Sequence, residues 1–217
     1  MTRLTGFLLV VAAVFFWISW VLMPGVGVTD AKEILKLVSS QPRLVPISAA
    51  LQLLSAGLFA LAIPGLARRF QVEQNSWAYL APALLALGAC GDAADAVYHQ
   101  LAYEMVRPGI DQAAMIPVMQ RMQTVELVYL VPMISAFLLG SVALSIVAAL
   151  LKIVPKWNPL LYCLALAVAV LGGMRHETIG VTGRMVGLTC LGLLSISVAA
   201  VGLALWKTRR FHEEIGN

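Results

Sequence analysis

Six apolar runs punctuate the chain, at residues 4–23, 44–66, 77–99, 127–151, 157–174 and 186–206. A helix rises about 1.5 Å per residue, so a run of about twenty crosses a hydrocarbon core about 30 Å thick. No run alternates apolar and polar residues, the period a membrane barrel needs, and the expected fold is therefore an all-α integral membrane bundle of six transmembrane helices. Of 217 residues, 60% are apolar and 12% charged, too few polar groups to clothe a water-soluble domain. A single transmembrane domain over residues 1–217 follows, with the lipid bilayer as its first partner and a homo-oligomer allowed. The fifth run is the shortest: its core, residues 160–171, reaches spanning length only by including Trp157 and Gly172-Gly173.

The net charge of +4 comes from Lys and Arg at the ends of these runs, without the basic stripe that nucleic acid requires. Cys90, Cys163 and Cys190 lie inside apolar runs at spacings that suggest neither a disulfide framework nor a zinc knuckle, and are expected as small core residues. The first run ends in Met-Pro-Gly with no Ala-x-Ala cleavage site and reads as a retained span rather than a signal peptide. With the N-terminus inside, eight basic residues fall on inner segments and seven on outer ones. The inner charges abut span ends, which is what the positive-inside rule counts, so a cell-membrane protein with both termini cytoplasmic is expected. Trp17, Trp20, Trp77, Trp157 and Trp206 sit near run ends and read as interface anchors.

The two longer outer loops read as partly helical. Thr29 or Asp30 can cap a short interfacial helix over residues 31–39, with Ile34, Leu35 and Val38 on one side. In the second loop Asp111 is a cap, Met115, Val118, Met119 and Met122 recur at helical spacing, and Pro117 can open a helix that runs into the fourth span and overshoots the bilayer. Ser195, Ala199 and Gly202 predict a packing seam on the last span, and Gly57, Ala60 and Pro64 a thinned side on the second.

Arg3-x-x-Gly6 at the start of the first span, a polar loop with Ala31 and Ile34, and a second span closing Leu66-Ala67-Arg68 resemble an uncharacterised group of bacterial multi-helix membrane proteins. The resemblance covers the first third of the chain and implies the membrane fold alone, with no activity and no site residues.

Beyond it lies the stretch Gly91 to His99. On a helix advancing about 100° per residue, Asp92, Asp95, His99 and Tyr103 share an arc of roughly 80°. An ionisable group in hydrocarbon costs about 2.5–3.5 kcal/mol on insertion scales, so three on one stripe require a partner, water or a cation. Two carboxylates one turn apart repel if both ionise. Ser48, Gln52 and Ser55 on the second span, Glu126 and Tyr129 opening the fourth, and Arg175, His176 and Arg184 before the sixth belong to the same end, predicting an outward polar vestibule.

Three functions fit that vestibule. In the first, a metal-dependent hydrolase-like enzyme acts on a lipid or another amphipathic substrate. Asp92, Asp95, His99 and His176 hold a divalent metal, zinc first, with Glu104 or Glu126 as general base and Gln52, Tyr103, Tyr129 and Arg175 on the substrate. This set resembles that of membrane hydrolases that hold zinc with Asp and His between helices. The Asp92-x-x-Asp95 spacing also resembles that by which membrane prenyl and alcohol-phosphate transferases hold magnesium and a diphosphate, although their second aspartate motif is missing here. In the second, a small-solute transporter or binding protein couples protons through the carboxylates. In the third, the stripe is a non-catalytic plug in which an aspartate pairs with Arg175 or Arg184.

Overall fold

A computed structural model describes residues 2–71, 76–173 and 181–207. Among these, seven helices follow in order: α1 (Thr2–Leu22), α2 (Ala31–Ser40), α3 (Leu44–Gln71), α4 (Ser76–Glu104), α5 (Gln112–Leu150), α6 (Leu160–Gly173) and α7 (Val181–Lys207). The described chain is all-helical, and five helices, α1, α3, α4, α5 and α7, are long and apolar enough to cross a membrane. The fifth apolar run yields only α6, whose 14 residues extend about 21 Å. Pro159 biases Asn158, the residue before it, away from the helical region; Trp157 and Asn158 lie in turns and the helix starts at Leu160.

The loop helices formed from the expected caps. Asp30 accepts from the Glu33 amide at 2.9 Å and starts α2, and Asp111 accepts from the Ala113 amide at 2.9 Å and starts α5. The second start lies five residues before Pro117, so loop helix and span fuse into one helix of 39 residues, about 58 Å long. The turn before it, Arg107-Pro108-Gly109-Ile110, closes with an Ile110 N–H to Arg107 carbonyl bond of 3.1 Å and places Gly109 at φ 90°, a left-handed conformation that glycine adopts without strain. The apolar side of α2 is spent inside the protein: Ala31, Leu35 and Val38 are buried with Val45, Ala102, Met105 and Met119 across one end of the bundle.

α1, α3, α4 and α5 pack in succession as antiparallel neighbours, and α7 returns to pack against α1 and, more lightly, α5. Backbones approach where side chains are small, because lipid offers no hydrophobic drive and close contact must supply the attraction. Gly202 of α7 meets Gly6 of α1, Gly88 of α4 meets the Phe137 backbone of α5, and Gly65 of α3 receives Thr5. The thinned side expected on the second span is not such a seam. Gly57 has nothing within 4 Å, and Ala60 and Pro64 are exposed on the outer face. On α7 only Gly202 makes the tight contact; Ser195 and Ala199 line an outer recess beside Trp17. Cys90 and Cys163 are likewise exposed rather than in the core, and Cys190 is half-buried, its thiol donating to the Ala165 carbonyl at 3.2 Å.

Two apolar clusters stack along the helices. The larger joins α1, α3, α4, α5 and α7 around Leu9, Phe59, Leu85, Phe137 and Leu144, and the smaller lies under α2. α6 is tied to the larger through Asn158, which donates to the Ser197 carbonyl at 3.3 Å, while the Ser197 hydroxyl donates to Ser145 at 3.2 Å.

Candidate functional site

Between the two clusters, where α3 faces α4, the polar stripe turns inward. Asp92 and Asp95 are 3% and 2% exposed, and Gln52 opposite them is 1% exposed. Ser48 and Ser55 flank Gln52 on α3 and donate to the Ser19 and Ala12 carbonyls of α1 at 2.7 and 3.0 Å. These bonds fix the rotation of α3, so Gln52 points at α4. Its amide nitrogen donates to Asp92 Oδ1 at 3.0 Å and to Asp95 Oδ2 at 2.6 Å, which uses both of its N–H groups. The amide oxygen must then be an acceptor, and His99 Nδ1, 3.3 Å away and 3.6 Å from Asp95 Oδ2, carries the proton that faces it. The second oxygen of Asp92 has no hydrogen-bond partner among the described residues. One neutral amide therefore serves two buried carboxylates, and within the described residues no Lys or Arg side chain joins them.

The network forms one wall of a cavity of about 440 Å³ at the α2 end of the bundle. Asp95, Tyr98 and His99 enter it from α4, Trp20 from α1, Met119, Gln123 and Glu126 from α5, and the loop after α1 covers it. That loop needs its glycines: Gly25 and Gly27 have φ of 88° and 81°, and Gly27 lies against the Gly183 backbone of α7. Gln123 ties the loop down by donating to the Thr29 carbonyl at 2.8 Å. Trp20 stands edge-on to His99 with ring centroids 5.7 Å apart, and its indole N–H has no partner among the described residues. The Tyr98 hydroxyl lies between the Met119 sulfur, 3.9 Å away, and the Glu126 carboxylate. Two acids, two aromatic rings and an imidazole line the cavity, and among the described residues no Lys or Arg lines it.

The expected site residues divide accordingly. Asp92, Asp95, His99 and Gln52 form one network, and Glu126 faces it across the cavity. Glu104 does not reach the cavity; it pairs with Arg107 at 2.9 Å and accepts from Gln100, and it holds the Arg107 guanidinium charged more firmly than usual. Tyr103 packs half-buried with the smaller apolar cluster. Tyr129 is 68% exposed on the outer side of α5. Arg184 donates to the Val21 carbonyl at 2.8 Å, so the pairing expected of it with an aspartate is replaced by a bond that closes α7 onto α1. Arg175 and His176 lie outside the described residues.

The fit of a metal to the stripe turns on Gln52. Its N–H groups point at the carboxylate lone pairs that a cation would need, and among the described residues no group of three or more His, Cys, Asp or Glu converges on a point. In this arrangement the three side chains do not form a ligand set. Trp20, Tyr98 and Gln123 line the cavity although none of them stood out in the sequence as a site residue. Trp20 resembles an interface anchor in sequence because both roles place an aromatic at a span end; only its ring contact with His99 separates them.

No family model, no curated protein and no solved structure matches the chain.

Proposed function

We propose that the protein is a solute-binding membrane protein of the transporter class, taking a small organic cation into the acidic cavity, with the Gln52 network exchanging a proton as the cation arrives or leaves. The observation that carries this reading is the composition of the cavity wall: Asp95 and Glu126 face it with Trp20 and Tyr98, and among the described residues no Lys or Arg lines it. A carboxylate in low dielectric attracts a cation far more strongly than in water, and aromatic faces add about 0.5–2 kcal/mol of cation–π attraction. Six crossings, with α6 as a short fifth span, both chain ends in the cytoplasm of a cell-membrane protein, α2 lying at the outer interface and the cavity opening outward complete the proposal.

The metal-dependent hydrolase reading requires Asp92 and Asp95 to leave Gln52 and a further ligand, such as His176, to join them. One experiment addresses both readings. Purified protein in lipid nanodiscs is titrated with tetramethylammonium and, separately, with zinc, beside Asp95→Asn, Glu126→Gln and His99→Ala. Saturable tetramethylammonium binding, weakened in Asp95→Asn and Glu126→Gln, supports the cation site. Stoichiometric zinc lost in His99→Ala, with no tetramethylammonium binding, overturns it in favour of the enzyme.

A further inference from the structure

A second recess lies on the outer side of the same helices. It holds about 410 Å³ between α4 and α5, is floored by Val97, Leu101, Val118 and Val125, and opens sideways, where those four side chains are 41–56% exposed. Tyr98 and Glu126 line both recesses, so these two side chains are the partition between the acidic cavity and the membrane-facing groove. We infer that the solute is a cationic amphiphile: its ammonium head occupies the cavity between Asp95 and Glu126, and its alkyl tail passes Tyr98 to lie in the α4–α5 groove against lipid.

This inference rests on the cavity reading and adds the tail to it. Charge decides the sign of the head, since the shared wall presents Glu126 and the chamber behind it Asp95. Arg121, at the groove's outer rim, is the one basic group beside it among the described lining residues. It lies five residues before Glu126, about 7.5 Å further along the helix toward the loop, at a level where lipid phosphates can neutralise it. A tail also explains why an apolar groove should lie beside an acid-bearing chamber: one molecule with both characters fills both, and neither half leaves an acid facing acyl chains.

The test compares octyltrimethylammonium with tetramethylammonium and octyl sulfate on the full chain in nanodiscs, empty discs being subtracted. Lipid concentrates any long tail, so the deciding figure is the ratio of octyl to tetramethyl affinity in the wild type and in Val97→Trp and Val125→Trp, which fill the groove from its exposed side. A ratio that falls severalfold in both variants, with octyl sulfate not bound, supports the inference. An unchanged ratio overturns the tail site and leaves the cavity reading standing. Tighter binding of octyl sulfate, lost in Arg121→Gln, overturns it in favour of an anionic lipid at the rim. Failure of both ammonium compounds to bind overturns the cavity reading with it.

Discussion

Gln52 decides what the two aspartates can do. Its neutral amide adds no charge between α3 and α4 and satisfies an oxygen on each carboxylate at once. Gln52→Leu keeps the volume and removes both donors. Leaving a buried acceptor without its donor costs about 1–3 kcal/mol, and the substitution leaves one on each aspartate, so it is expected to cost about 2 kcal/mol or more, read as a lower thermal unfolding midpoint of purified protein. Combining it with Asp92→Leu tests the pairing: the double variant is expected to lose less than the sum of the singles, by a coupling of about 0.5–3 kcal/mol. Additive losses would mean that the contact contributes nothing to stability. The stripe itself was legible in the sequence, because helical spacing alone puts Asp92, Asp95 and His99 on one face and membrane energetics forbid that face to lipid. What faces it was not. The sequence named Arg175 or Arg184 as the partner; Arg184 bonds the Val21 carbonyl instead, and the rotation of α3 set by Ser48 and Ser55 brings Gln52 to the stripe.

At the scale of helices, glycines divide into those that bring backbones together and those that do not. A Cβ on Gly88 would collide with the Phe137 backbone, whereas one on Gly57 would meet nothing within 4 Å. Gly88→Leu is therefore expected to push α4 from α5 and to cost about 1–3 kcal/mol, while Gly57→Ala, which gains helix propensity in an open position, is expected to be neutral or stabilising by up to about 1 kcal/mol. Parallel thermal melts of the two variants check the contrast, and equal losses would contradict the assigned interfaces. Sequence spacing favoured the wrong member here: Gly57, Ala60 and Pro64 recur as a packing motif should, yet their face is turned outward. Small-residue periodicity reports that a face is thin, not that another helix lies on it. The α5 boundary was legible from Asp111, whose short carboxylate caps whatever helix follows it, whereas the late start of α6 depends on Pro159 acting on Asn158.

At the scale of the molecule, antiparallel succession puts alternate turns at opposite ends. Lys36 in α2 and Arg107 after α4 belong to the cavity end, and Lys152 after α5 to the other. Single cysteines at 36, 107 and 152, in a chain whose native cysteines are replaced by serine or alanine, are expected to label with an impermeant maleimide on intact cells as a pair and a singleton. Positions 36 and 107 should react together from one side, and 152 only after permeabilisation under the proposed sidedness. Labelling of 36 without 107 would break the helix order described above.

The length of α5 carries one consequence for how this protein meets its surroundings. A rod of about 58 Å in a slab of about 30 Å must lean or stand proud of it, and the part that stands proud bears Met119 and Gln123, which support the cover of the cavity. A thinner or thicker bilayer is expected to change that lean. The bond from Gln123 to the Thr29 carbonyl is the link by which such a change would reach the loop over the cavity.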